Sequence, residues 1–161
     1  MKYTDTKLVF REFPDEVTIA INISECPFRC EGCHTPSLRD DIGTELTADE
    51  LERIIRRHLN IITCVGFMGG DANIEYLSKL VDDMKNRIGN SKKLKYGIYS
   101  GQDSLYNVLR RCNNFDYIKV GHFDSELGPI DKEGSNQRMY KLNYENGMYE
   151  DITMRMRRKN F

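Results

Sequence analysis

Between residues 47 and 120 the chain alternates amphipathic helical stripes with short apolar runs, and this rhythm restricts its architecture more than any other feature. Thr47 opens the first stripe: Thr47-x-x-Glu50 is a capping box, and Leu51, Ile54, Ile55, His58 and Leu59 follow at one-face helical spacing. Residues 61–67 form a short apolar run, read as a buried strand, that ends at Met68-Gly69-Gly70-Asp71. Ile74, Leu77, Val81, Met84 and Ile88 make a second helical stripe, and residues 94–99 a further strand ended by Ser100-Gly101. Leu105, Val108, Leu109 and Cys112 make a third stripe, followed by an apolar strand over 115–120. Strands alternating with helices predict an α/β fold built of right-handed βαβ units around a parallel sheet.

The flanking segments add to this unit. Residues 6–13 and 17–23 read as two strands joined by a Pro14-Asp15-Glu16 turn. Residues 24–46 hold three cysteines, and Pro27 and Pro36 bar a regular helix there. Beyond Gly121 a polar loop leads into 138–144, an Asn146-Gly147 turn signal and 148–157. This predicts a terminal β-hairpin, with Ile152, Met154 and Met156 on one face and Arg155 and Arg157 on the other. At 161 residues, with no linker or repeat, the chain reads as one domain over 1–161.

In open α/β sheets ligands sit at the carboxyl ends of the strands. The cysteine loop, Gly69-Gly70 and Ser100-Gly101 each follow a predicted strand, so they are expected to converge at one rim. The charge balance of 24 basic against 25 acidic side chains excludes the basic surplus of a dedicated nucleic-acid binder. No apolar run reaches membrane-spanning length and the N-terminus has no signal-peptide core, so a soluble, cytoplasmic protein is expected. Five cysteines, an odd count without a secretory signal, speak for reduced thiolates rather than a disulfide framework.

Three of those cysteines stand in Cys26-Pro-Phe-Arg-Cys30-Glu-Gly-Cys33, a C-x3-C-x2-C spacing. Three thiolates on one short loop can take three corners of a 4Fe–4S cube and leave the fourth iron open, and an open metal position can hold a substrate. The rival is a structural zinc site with His34 as fourth ligand, although zinc favours two separated ligand pairs that close a tetrahedron.

C-x3-C-x2-C after an early strand, with a Gly-Gly-acid turn after a later one, resembles the radical S-adenosylmethionine superfamily. More narrowly, the chain resembles the anaerobic ribonucleoside-triphosphate reductase activating proteins over essentially its whole length. The resemblance rests on Cys26 to His34, on Met68-Gly69-Gly70-Asp71, on Tyr99-Ser100-Gly101 and on Gly134-Ser135-Asn136-Gln137-Arg138. It implies a single-domain partial (β/α) barrel of radical-SAM type, with a mainly parallel sheet and a C-terminal β-hairpin. Cys26, Cys30 and Cys33, in a loop at about 24–36, would ligate a 4Fe–4S cluster. Gly32, Cys33, His34, Gly69, Gly70, Asp71 and Ser100 would lie against S-adenosylmethionine. His34 stands where an aromatic residue, usually tyrosine, is found in these proteins, and Asp71 where glutamate is more widespread. The implied activity is reductive cleavage of S-adenosylmethionine, with an electron donor such as flavodoxin or ferredoxin, to place a glycyl radical on the anaerobic reductase. Another glycyl-radical enzyme, or a small molecule, is the alternative substrate.

Plain structural roles are open to several of these residues as well. Gly69-Gly70 can be a tight turn, and Ser100 the N-cap of the helix carrying Leu105. Lys119 interrupts an apolar strand near its carboxyl end and is read as a solvated strand end, with contact to cofactor or substrate protein as the alternative. Cys64 and Cys112 read as small core residues. The basic ending of Arg155, Arg157, Arg158 and Lys159 solubilises the tail or docks an acidic partner surface.

Overall fold

A strand sends alternate side chains to opposite faces, so each apolar run has to find cover twice. The computed structural model, which describes residues 1–89 and 93–157, shows how. The elements are β1 (Lys2–Val9), β2 (Thr18–Ile23), β3 (Thr44–Glu45), α1 (Ala48–His58), β4 (Cys64–Met68), α2 (Ile74–Ile88), β5 (Lys95–Tyr99), α3 (Leu105–Leu109), β6 (Tyr117–Val120), β7 (Arg138–Leu142) and β8 (Tyr149–Asp151). Among the described residues eight strands join one open, mixed sheet in the order β3-β1-β2-β4-β5-β6-β7-β8. The central strands β2, β4, β5 and β6 run parallel. The strands outside them pair antiparallel.

One face is covered by helices. Ile19, Ile21, Ile23, Val65, Phe67, Ile98, Ile118 and Val120 pack there against Leu51, Ile54 and Ile55 of α1, Leu77, Val81 and Met84 of α2, and Val108 of α3. The helices are held by their ends as well as by burial. Thr47 Oγ1 accepts the Glu50 N–H at 3.2 Å, Asn73 Oδ1 accepts the Tyr76 N–H at 3.0 Å, and Arg56, Arg57 and His58 sit in the last turn of α1, where the helix dipole favours cations. Only half of the expected capping box forms: the Glu50 carboxylate bonds Tyr3 and Arg53 instead of reaching back to Thr47.

The opposite face carries a smaller cluster of Phe13, Cys64, Tyr117, Ile130 and Met139, with Met68, Tyr99, Ile152 and Met156 packed on it. Phe13 is its plug. It is fully buried and fills the space over Gly66 and Gly97, where an added Cβ would stand 2.8 and 2.4 Å from the Phe13 ring. Burying a side chain of this size is worth roughly 1.5–3 kcal/mol.

Phe13 also corrects the first predicted strand. Residues 10–13 leave the ladder after Val9, because the chain must turn under the sheet to deliver that ring. The expected hairpin is likewise shorter. The return strand is only β8, followed by a 3-10 turn over Thr153–Met156. Thr153 Oγ1 accepts the Met139 N–H at 2.9 Å, and its own N–H donates to Asp151 at 2.8 Å. These bonds bend the chain so that Ile152 and Met156 pack on the small cluster, while Met154 is 80% exposed. Arg155 pairs with Asp15; Arg158 and Lys159 lie outside the described residues. No helix among the described residues is long and apolar enough to cross a membrane.

Candidate metal centre

The cysteine loop leaves β2 at Ile23 and is tied down at both ends. Ser24 donates its N–H to the Lys2 carbonyl at 3.1 Å, Glu25 to Asp40 at 3.2 Å and Cys26 to Leu38 at 2.9 Å. Pro36 begins a single 3-10 turn, Pro36–Arg39, and Arg39 Nη2 reaches back to donate to the Cys30 carbonyl at 2.6 Å. Phe28 docks the middle of the loop on the turn after β5. Its ring lies so close to Gly101 that a Cβ there would come within 2.5 Å of it. At the tip, Gly32 takes a φ of +71°, and His34 packs its ring on Phe123 at 5.0 Å between centroids.

The loop roofs a cavity of about 210 Å³ lined by Cys26, Cys30 and Cys33 on one side and by Asn22, Met68, Gly69 and Tyr99 on the other. Asn22, Met68 and Tyr99 are register partners on adjacent strands, and the row continues through Lys119 of β6 to Met139 of β7. The floor thus takes one residue from the carboxyl end of β2, β4 and β5 on the helix-free face, and Lys119 stands beside Tyr99 just outside the lining. The rims expected to converge do converge here.

All three cysteines are half-buried and free. Burial pushes the Cys26 thiol up, and the nearby Asp71, Cys30 and Cys33 add to the shift while a bond to the Phe28 carbonyl opposes it. Metal binding at such thiols releases protons. Among the described residues no three His, Cys, Asp or Glu side chains gather tightly enough to hold a single metal ion. Cys64 and Cys112 are buried in the two cores, as expected.

The remaining expected cofactor residues divide into two groups. Gly69 lines the cavity, with φ of +98°. Gly70, with φ of +109°, serves the core: a Cβ there would meet Leu77 Cδ1 at 2.3 Å. Asp71 is 5% exposed and its carboxylate is spent on the neighbouring turn, accepting from Ser100 Oγ at 2.5 Å and the Gly101 N–H at 2.9 Å. Burial pushes the Asp71 carboxyl up, against the pull of Ser100, Gly101, Arg111 and Lys119. Asp71 and Ser100 therefore brace the turns after β4 and β5 against each other. Ser100 is not the cap of α3. That cap is Ser104, which accepts the Asn107 N–H at 3.3 Å.

Lys119 departs furthest from expectation. It is 8% exposed rather than solvated. Its Nζ donates to the Gly121 carbonyl at 3.1 Å and stands 5.4 Å from the Tyr99 ring centroid. Burial lowers its pKa to about 8, with Asp71 and Cys30 acting in the opposite sense. Besides Lys119, Asn22 and Arg39 went unremarked or undervalued in the sequence. The available signal was position: each is polar and sits at the last inward place of a strand or just past the cysteine loop.

Half-buried thiols with no disulfide, on a tethered loop over parallel strand ends, make a soft-ligand site of the kind that holds iron and sulfide. The family model for the 4Fe-4S single cluster domain matches residues 16–141. The chain belongs to that family. The match takes in the cysteine loop, all the parallel strands and most of β7, so the cavity described lies wholly within the 4Fe-4S single cluster domain. No curated protein and no solved structure matches the chain. The donor set fits the cluster: Cys26, Cys30 and Cys33 could each hold one iron, and the other candidate on the loop, His34, is turned onto Phe123.

Proposed function

We propose that this chain is a radical S-adenosylmethionine activase, which generates a glycyl radical on an anaerobic ribonucleoside-triphosphate reductase. The observation that carries the reading is the C-x3-C-x2-C loop facing Gly69, the first glycine of the Gly-Gly turn, across one cavity at the parallel strand ends. The open sheet, helical on one face only, suits a partial barrel of the radical-SAM type. When bound, the cluster supplies one electron that splits S-adenosylmethionine into methionine and a 5′-deoxyadenosyl radical able to take a hydrogen atom from a glycine. The chain's own residues do the positioning. Cys26, Cys30 and Cys33 hold the metal side, and Arg39 and Phe28 fix the loop that carries them. Gly69 offers backbone without a side chain in the way, and Met68 and Tyr99 supply an apolar floor that limits water near a reactive radical.

The helix-free face supports a macromolecular substrate. Tyr99 lines the cysteine cavity and also a groove of about 820 Å³ that runs past Phe10, Arg11, Ile130 and Arg155. Phe10 is 69% exposed at its edge. A groove this open does not enclose a metabolite, whereas a polypeptide loop brings its own walls. The electron would come from a low-potential protein such as flavodoxin or ferredoxin.

The test is anaerobic incubation of the reconstituted protein with S-adenosylmethionine, a reductant and the reductase. Electron paramagnetic resonance should show a glycyl radical on the reductase. Deuterium at the α-carbon of that glycine should appear in the 5′-deoxyadenosine released. If the label stays in the partner while a small metabolite loses its hydrogen, the reading is wrong.

A further inference from the structure

Lys119 occupies a place that needs explaining. Its neighbours on the helix-free face are the apolar or aromatic Tyr99, Tyr117 and Met139. A buried ammonium in such surroundings needs a negative partner. Among the described residues its ammonium donates one hydrogen bond, to the Gly121 carbonyl two residues along its own chain, and an ammonium has three donors to place. Among the described residues no carboxylate lies within ion-pair distance of it. Asp71, the acid that acts on it, is already bonded to Ser100 and Gly101. The other group that acts on it is Cys30.

We propose that Lys119 is the fixed counter-charge of the iron–sulfur cluster and sets its reduction potential. This rests on cluster ligation by the three cysteines, and not on S-adenosylmethionine cleavage. Reduction adds one electron to the cluster from an external one-electron donor, and hence one negative charge. A neighbouring ammonium in a low-dielectric setting stabilises that extra charge more than it does the oxidised state, so it raises the potential. Lys119 donates no proton and forms no covalent bond in this role. Tyr99 holds the ammonium beneath the cavity floor by presenting its ring to it, and the register pairing of Tyr99 with Lys119 keeps the two side by side.

The experiment is a potentiometric titration of the anaerobically reconstituted full chain, followed by absorbance and by electron paramagnetic resonance of the reduced cluster. Lys119→Met removes the charge and keeps the length; Lys119→Arg keeps the charge. In Lys119→Met the one-electron reduction equilibrium should fall about tenfold, or ~59 mV, while Lys119→Arg should stay within about twofold of the parent. An unchanged midpoint in Lys119→Met overturns the proposal, as does an equal shift in both variants. If Lys119→Met fails to hold a cluster, iron content decides: retention in Lys119→Arg supports a charge role, and loss in both refutes it. No part of this measurement uses S-adenosylmethionine, so the radical reading could fail while this one stands.

Discussion

Asp71 offers the sharpest test of how the site is built, because the resemblance casts it as a cofactor residue and the geometry as a brace. Replacing it with Ala strips partners from the Gly101 N–H and the Ser100 hydroxyl, which its carboxylate accepts at 2.9 and 2.5 Å. Each group left unsatisfied costs about 1–3 kcal/mol, and Ser100 is 2% exposed, so water does not readily replace the lost acceptor. Against this stands relief of a buried charge, since burial is the largest influence on the Asp71 carboxyl and raises its pKa. The net expectation is a loss of roughly 2–3 kcal/mol for Asp71→Ala. Asp71→Asn should cost less, about 1 kcal/mol: its carbonyl can accept from Gly101 and its amide can donate to the second lone pair of the Ser100 hydroxyl oxygen, beyond the one used by the Gln102 N–H, which leaves only the Ser100 hydroxyl proton without an acceptor. The pH dependence has a definite sign. A folded-state pKa above the unfolded value means that the native state binds the proton more tightly. The wild type should therefore gain stability relative to Asp71→Asn as pH falls through the folded pKa, and lose it again as pH rises. Urea unfolding under anaerobic conditions, followed by circular dichroism at a constant m-value, measures all three. Equal losses in Asp71→Ala and Asp71→Asn, or no loss in Asp71→Ala, would refute the bracing argument.

Other expectations follow from the same contacts. Cys26→Ala, Cys30→Ala and Cys33→Ala should each abolish stable 4Fe–4S assembly, read as iron and sulfide content. Cys112→Ala should keep the cluster and cost on the order of 1 kcal/mol, since burial in the helical core pushes that thiol up to about 12 and leaves it inert. Gly97→Ala drives a methyl into the Phe13 ring and should cost about 1–3 kcal/mol; combining it with Phe13→Leu should cost less than the sum of the two, because the sites share one cavity. Arg39→Met removes the charged donor from the Cys30 carbonyl and should speed cluster loss to an iron chelator, with secondary structure unchanged.

The fold was legible wherever a local pattern and its burial agreed. The stripes of α1 and α2, and the apolar runs that became β4, β5 and β6, each answer to one repeating period that the helix-covered core rewards. Legibility failed where a single long-range contact outweighed local preference. Residues 10–13 look strand-like, but Phe13 has a hole waiting for it between Gly66 and Gly97, some fifty and eighty residues on. The alternation over 148–157 looks like a hairpin arm, but Thr153 spends its hydroxyl on the Met139 N–H and turns the chain. Neither event leaves a mark on its own segment, because the partner that decides it lies elsewhere in the chain.

The site divides the same way, and the division says something about how it is assembled. The cysteine cluster was readable because its spacing alone puts three thiols on one short loop, and the Gly-Gly turn because two left-handed residues in succession favour glycine. The floor was not readable, since register sets it: Asn22, Met68 and Tyr99, with Lys119 beside Tyr99, become neighbours only when β2, β4, β5 and β6 align. At the rim of that alignment Asp71 ties the turn after β4 to the turn after β5 with two bonds, and Phe28 seats the cysteine loop on Gly101 of the same turn. One turn, Ser100-Gly101, thus takes its position from the acid behind it and gives a position to the thiols in front of it. A displacement there would move the loop and the floor together, so the geometry of the cavity depends on a contact made outside its lining.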